Sequence, residues 1–290
     1  MLIMNSTPAR NFYIITAMSA SYFRKQIFLP QDHGSWVFIF SPLLVGLFAG
    51  RQFNLASLCL VIAAVVAFLI RQPITMAVKA YAGRRPRTEL SASAFWIAVY
   101  GFILLLALIG LIRAGFIYIL LLAVPVAPVF AWHLWLVSRR EERRQVNVEI
   151  LATGVLALAA PAAYWVGISH YDASGWWLWF LTWFQSAASI VYTYLRLAQR
   201  EWKEVPPRAE LWKTGWRAFA CTTFNLVASM VFGLFSVLPH LIFIPYLVQW
   251  SETLWGIFHP AVRWKPVQIG MRQLVVSVLW TILFIVFWRS

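Results

Sequence analysis

The sequence contains few charged residues, and acidic ones are especially scarce. Only 12% of its 290 residues are charged, with 10 Asp and Glu against 24 Lys and Arg. Soluble domains carry about 25% charged residues, so too few polar groups are present here to cover a surface that faces water. With 61% hydrophobic residues and a mean hydropathy of +0.72, the chain is predicted to be a membrane protein.

Cysteine is almost absent as well. Cys59 and Cys221 both lie inside apolar runs, and no C-x-x-C pair exists. This pattern excludes a disulfide framework and a thiolate metal site. The sequence also lacks H-E-x-x-H, Walker, G-x-S-x-G and dinucleotide-binding motifs, so we predict no metal and no cofactor.

Nine apolar runs have lengths suited to helices that cross a bilayer, each about 20 residues. They predict an all-α, polytopic membrane protein with one integral domain over residues 1–290, of which residues 1–32 form a cytoplasmic N-terminal tail. The runs lie at about 34–50, 54–71, 93–112, 115–137, 149–168, 175–197, 217–237, 240–257 and 268–288.

The distribution of Lys and Arg supports nine spans. If the N-terminus is inside, 21 of the 24 basic residues fall in the N-terminal tail, in the inside loops or at the helix ends beside them. Only Arg51, Arg113 and Arg289 fall on the other side. Cytoplasmic loops carry such an excess, so the C-terminus is predicted to be outside. Because the bias explains the net charge of +14, we do not predict nucleic-acid binding.

The stretch from Arg71 to Arg87 contains five basic residues and no acidic one. If the second helix continues inward, Arg71, Thr75 and Lys79 share one face. One interpretation is a phosphate site, since guanidinium groups fit phosphate oxygens. The other is a topology determinant that contacts anionic lipid headgroups. The basic residues of the stretch are Arg71, Lys79, Arg84, Arg85 and Arg87.

A second basic group ends the sixth span. Tyr192, Arg196 and Arg200 continue a polar stripe that begins at Gln185 and Ser189. Polar residues within a span usually face the interior of the bundle, where Arg196 and Arg200 are candidates for binding an anion. The alternative is that the stripe forms hydrogen bonds between helices.

Three residues are candidates for acid–base chemistry. Asp32 and His33 stand in Pro30-Gln-Asp-His-Gly-Ser-Trp36, at the start of the first span. Asp32 is equally suited to cap the helix, with the tryptophan anchoring the membrane interface. Glu149 lies where the chain re-enters the membrane, a position that favours function over solvation.

Nine spans with long inside loops resemble the UbiA-type membrane prenyltransferases. Arg84-Arg-Pro-Arg-Thr-Glu-Leu-Ser-Ala-Ser is similar to the Asn-Arg-Pro-Leu segment of that family. The resemblance implies a UbiA-like helical bundle, which in that family holds a prenyl diphosphate through Mg²⁺ on aspartates. Here Arg71, Thr75 and Lys79 occupy the first aspartate-rich motif, and Arg196 and Arg200 the second. Mg²⁺ needs oxygen ligands, so the metal-dependent mechanism does not carry over.

The chain also resembles the YwiC-like family of bacterial membrane proteins. The similar segments are Pro30–Trp36, Arg71-Gln-Pro73, and Lys265-Pro266 with Gly270 and Gln273. Together they span most of the chain, and the first is the specific one. The resemblance implies a location in the bacterial cytoplasmic (inner) membrane and implies no particular reaction.

Three functions are compatible with these features. The first is a UbiA-like, metal-independent transferase acting on an isoprenoid or other lipid phosphate, with the basic residues above neutralising the phosphate. Asp32, His33 or Glu149 would then supply the acid or base. The second is a non-catalytic protein that binds a lipid, quinone or pigment, or assists assembly of a complex. The third is a transporter of small anions. Membrane lipids and an isoprenoid or quinone-like ligand are the expected partners.

Overall fold

A computed structural model describes residues 22–30, 34–141 and 145–289. Within these ranges the regular structure is helical and no strand occurs, in agreement with the predicted all-α class. The helices are α1 Lys25–Phe28, α2 Ser35–Gly50, α3 Leu55–Tyr81, α4 Glu89–Arg113, the 3₁₀ helix η1 Ile117–Leu122, α5 Ala123–Arg139, α6 Val146–Ala157, α7 Ala159–Ile168, α8 Ser174–Gln199, α9 Arg208–Leu234, α10 Phe243–Phe258 and α11 Pro266–Trp288.

Each predicted span coincides with a helix or with two consecutive helices. Six helical segments of the described ranges are long and apolar enough to cross a membrane: α3, α4, η1 with α5, α6 with α7, α9 and α11. Helix α8 is long enough but carries a polar stripe. Helices α2 and α10 each have 16 residues, or about 24 Å, which is shorter than a hydrocarbon core of about 30 Å. A total of nine crossings therefore stays a prediction.

The second predicted span is longer as a helix than as an apolar run. Helix α3 begins after Asn54, whose side chain accepts a hydrogen bond from the Ser57 backbone N–H at 2.9 Å. It continues through Pro73 to Tyr81, ten residues beyond the predicted end at residue 71. Its 27 residues extend about 40 Å, more than the thickness of the hydrocarbon core. The helix therefore carries its basic residues to the edge of the membrane.

The fifth predicted span is divided into α6 and α7. The backbone N–H of Leu158 bonds to Val155 rather than continuing the α-helical pattern. Pro161 has no N–H to donate to the carbonyl of Ala157, so the helix loses a hydrogen bond at this point. The break places two short helices end to end in one span.

Helices α2 and α8 occupy the centre of the bundle. Helix α2 contacts α3, α6, α7, α8 and α11, and α8 contacts α6, α7, α9, α10 and α11. Helices α2 and α7 approach closely because glycines face the contact. A Cβ atom at Gly46 would overlap the carbonyl oxygen of Ala160, and one at Gly50 would lie 2.9 Å from the Cα of Gly167. Small residues of this kind let the backbones of membrane helices pack directly.

The charge-rich connectors lie together at one end of the bundle, here called the basic end. It comprises the connectors after α3, α5, α8 and α10. Arg84 of the first donates to the Val137 carbonyl at the end of α5, and the Arg263 N–H of the last donates to the Arg200 carbonyl. At the opposite end, Arg289 donates to the carbonyl of Phe48 near the end of α2. These contacts link the connector after α3 to the end of α5 and the connector after α10 to the end of α8, and the alternation of connectors across a membrane stays a prediction.

Candidate functional site

The predicted basic face of α3 is present. Because α3 is unbroken from Leu55 to Tyr81, Arg71, Thr75 and Lys79 follow one another at one-turn intervals. Thr75 is buried, and its hydroxyl donates to the carbonyl of Arg71 at 2.8 Å. Arg71 and Lys79 are half-buried, and the Arg71 guanidinium lies 5.1 Å from the Phe68 ring centroid. Two cations therefore lie on one helix face between apolar surroundings and solvent.

The two other arginines predicted for this site contact protein groups. Arg84 donates to the carbonyl of Val137, one of the last-turn carbonyls of α5. This carbonyl also accepts from the Arg140 backbone N–H at 3.3 Å, and the arginine contact ties the connector to α5. Arg85 lies 3.5 Å from Glu89 Oε1, the oxygen that Arg24 approaches to 3.8 Å. Both arginines thus have structural contacts at the basic end.

Of the three acid–base candidates, the structure describes only Glu149. Asp32 and His33 lie outside the described residues. Glu149 lies in the first turn of α6 and is exposed. Its Oε1 accepts a hydrogen bond from the Tyr194 hydroxyl at 2.6 Å, which links α6 to α8. A catalytic role for these three residues remains a prediction.

Arg196 holds the end of α10. Its side chain is only 1% exposed, and Nη1 donates to the carbonyl oxygens of Gly256 and His259, both at 2.7 Å, and to Gln199 Oε1 at 3.0 Å. Carbonyls at a helix C-terminus lack intrahelical partners, and a basic side chain commonly satisfies them. Nη2 is buried without a hydrogen-bond partner. The guanidinium thus stabilises the end of α10 through Nη1, and its Nη2 group makes no hydrogen bond. Arg200 is half-buried beside it.

An ion pair that we did not predict lies next to Arg196. Arg272 Nε and Nη2 donate to the two carboxylate oxygens of Glu252 at 2.6 and 2.7 Å. The Tyr192 hydroxyl donates to Glu252 Oε1 at 2.9 Å, and the Arg272 guanidinium lies 3.7 Å from the Trp255 ring centroid. These contacts join α8, α10 and α11. The sequence signal was an acidic residue within an apolar run, which usually marks a partnered or functional group.

Charge is unbalanced in the α8–α10–α11 seam, which we define by Tyr192, Arg196, Glu252 and Arg272. The seam holds two guanidinium groups and one carboxylate. Arg272 pairs with the carboxylate, whereas the hydrogen bonds of Arg196 go to neutral oxygens. In the described ranges, no three His, Cys, Asp or Glu side chains form a group suited to a metal ion. The seam therefore carries one positive charge more than it carries negative charge.

Comparison with known proteins gives a family match over part of the chain. The model of the YwiC-like protein family matches residues 29–164. This match confirms the YwiC-like resemblance, and its range includes the basic face of α3, Glu89 and Glu149 but not the α8–α10–α11 seam. No curated protein and no solved structure matches the chain significantly.

Proposed function

We propose that this YwiC-like membrane protein binds the phosphate group of a long-chain lipid at the basic end, with Arg71 and Lys79 as its principal ligands. The observation that carries the proposal is the continuation of α3 to Tyr81. This continuation aligns the two cations on one face at the point where the apolar part of the helix gives way to polar residues.

The surroundings of this face suit an amphiphilic ligand. The apolar surface of α3 and its neighbours is compatible with isoprenoid or acyl chains, and the two cations meet the headgroup. Arginine binds phosphate oxygens through paired N–H groups, and lysine adds a compact positive charge. An isoprenoid phosphate or a similar lipid phosphate has both parts.

We also propose that the basic end faces the cytoplasm, in a bacterial cytoplasmic membrane. The clustering of four charge-rich connectors at one end supports this orientation, because positive charge accumulates in cytoplasmic loops. The N-terminus would then be inside and the C-terminus outside.

Binding and catalysis are separate proposals, and an assay distinguishes them. A UbiA-like transfer needs an acid or a base near the ligand. Of the three candidates only Glu149 is described, and its carboxylate is exposed and bonded to Tyr194. Incubating the purified protein with a prenyl diphosphate and an aromatic acceptor, in chelator, separates the two roles. Product formation would establish a metal-independent enzyme, whereas ligand retention without product would establish a binding protein.

The phosphate ligands are tested by replacing the two cations. In Arg71→Ala/Lys79→Ala, we expect retention of phosphate-bearing lipids after purification to fall about tenfold or more, because charge-assisted hydrogen bonds to phosphate are lost. Arg87→Ala is the matched control, since Arg87 is exposed in the following connector. Quantitative mass spectrometry of the bound lipids gives the readout. Equal retention by all three proteins would refute the assignment and leave Arg71 and Lys79 a topological role.

A further inference from the structure

Two buried side chains at the start of α4 each have a polar atom without a hydrogen-bond partner. Glu89 is 3% exposed and Ser93 is 0% exposed, and both Glu89 Oε2 and Ser93 Oγ are without a partner. The two residues are four apart on one helix, which places their Cβ atoms about 5–6 Å from each other. One small group can therefore contact both.

The unpartnered atoms define the chemistry of what fits between them. An ionised carboxylate only accepts hydrogen bonds, whereas a serine hydroxyl both donates and accepts. The occupant must therefore donate to Glu89 Oε2 and can pair with Ser93 Oγ in either direction. A hydroxyl group meets both requirements. Buried polar atoms are nearly always paired, so two orphans on one helix face indicate a bound group.

The neighbouring charges suggest what carries the hydroxyl. Arg85 and Arg24 approach the other oxygen, Glu89 Oε1, at 3.5 and 3.8 Å, and these distances leave guanidinium donors for a second anion. Their side chains are 34% and 54% exposed, so two solvent-accessible positive charges lie beside the buried carboxylate.

We propose that Glu89 and Ser93 recognise a hydroxyl group on the headgroup of the bound lipid phosphate. The phosphate keeps Arg71 and Lys79 as its principal ligands, Arg85 and Arg24 add positive charge beside the headgroup, and a headgroup hydroxyl would donate to Glu89 Oε2 and pair with Ser93 Oγ. This inference rests on the proposed binding of a lipid phosphate and specifies its class as a hydroxylated, glycerol-type headgroup.

Two lipids with equal charge and equal chains test the recognition. Phosphatidylglycerol carries headgroup hydroxyls, whereas phosphatidylethanol carries the same single negative charge and none. Sites built to bond a hydroxyl discriminate against the analogue that lacks it. In competition between the two lipids in mixed micelles, read by native mass spectrometry, we expect the unmodified protein to prefer phosphatidylglycerol about tenfold or more.

Substitutions then assign the preference to the two side chains. Ser93→Ala and Glu89→Gln should each reduce the preference to near unity while phosphatidylethanol binding persists. Ser91→Ala is the matched control, because Ser91 is exposed and its hydroxyl bonds to the Thr88 carbonyl. Circular dichroism and the thermal midpoint verify folding, and Ser93→Ala alone suffices for the test if Glu89→Gln fails to fold.

Each outcome separates the inference from the function on which it rests. Equal binding of both lipids by the unmodified protein, or a preference that survives Ser93→Ala, would overturn hydroxyl recognition and leave phosphate binding intact. Loss of both lipids in Arg71→Ala/Lys79→Ala, with normal preference in the unmodified protein, supports both proposals. Binding of neither lipid by the unmodified protein would remove the proposed function as well. Glycerol phosphate without chains is a further competitor. If glycerol phosphate displaces the lipid and Ser93→Ala abolishes this displacement, hydroxyl recognition holds and the ligand is a soluble glycerol phosphate.

Discussion

The Glu252–Arg272 ion pair joins α10 to α11, and a double-mutant cycle measures its contribution. The perturbations are Glu252→Gln, Arg272→Met and their combination. Glu252→Gln retains the size of the side chain and removes its charge. Arg272→Met retains most of the aliphatic stem. Tyr192, which also donates to Glu252, is left unchanged in all variants.

The expected magnitude follows from geometry and exposure. Breaking one side of a fully buried pair costs about 3–5 kcal/mol, because the remaining charge has no partner. The Glu252 side chain is 12% exposed, but that of Arg272 is 34% exposed, so solvent screens part of the interaction. We therefore expect each single substitution to destabilise the protein by about 2 kcal/mol. The coupling energy between them should be about 1.5 kcal/mol, since both guanidinium contacts are short and parallel.

The assay is reversible unfolding in detergent with increasing dodecyl sulfate, followed by tryptophan fluorescence. The contact between Arg272 and Trp255 is lost in both proteins that carry Arg272→Met, so it cancels in the cycle. A coupling energy below about 0.5 kcal/mol would be typical of an exposed surface pair. That value would contradict the role of this contact in holding α10 against α11.

Two further predictions concern helix packing. Gly46→Ala should destabilise the protein by about 1–3 kcal/mol, since the new Cβ overlaps the Ala160 carbonyl and separates α2 from α7. Gly101→Ala is the control: its Cβ would meet no atom within 4 Å, so its free energy of unfolding in the same assay should be unchanged or slightly higher. Equal effects of the two substitutions would argue against close packing at Gly46. Trp183→Phe should lower the free energy of unfolding by about 1 kcal/mol, because the indole N–H donates to the Ile150 carbonyl at 2.8 Å. An unchanged unfolding midpoint would show that this hydrogen bond does not contribute to stability.

The sequence predicted the helices well because long apolar runs admit few alternatives in a membrane. It was less informative about where a helix ends. Residues beyond Arg71 are less apolar, so the span was predicted to stop there, although Gln, Met, Ala and Lys favour continuation of the helix. Pro161 was a visible sign of the break in the fifth span. Whether the helix breaks at this proline depends on its backbone hydrogen bonds, which cannot be read from an apolar sequence.

The sequence could predict the arrangement of the candidate site only for residues that lie on the same helix. The spacing of Arg71, Thr75 and Lys79 is set by one helix, so their common face followed from the sequence. Arg196 was predicted to bind an anion, but its carbonyl partners lie about 60 residues later in the chain. The pairing of Glu252 with Arg272 likewise depends on how two helices pack, so the position of Glu252 within an apolar run could not identify its partner.

Phosphate recognition is the central claim, and the most direct measurement compares a long-chain isoprenyl phosphate with the corresponding alcohol. The two ligands share their chain and differ only in the phosphate. Titrations in detergent, followed by quenching of tryptophan fluorescence, give both dissociation constants. We predict that the phosphate binds about tenfold or more tightly and that Arg71→Ala/Lys79→Ala removes this difference. Equal affinity of the unmodified protein for the phosphate and the alcohol would contradict the claim.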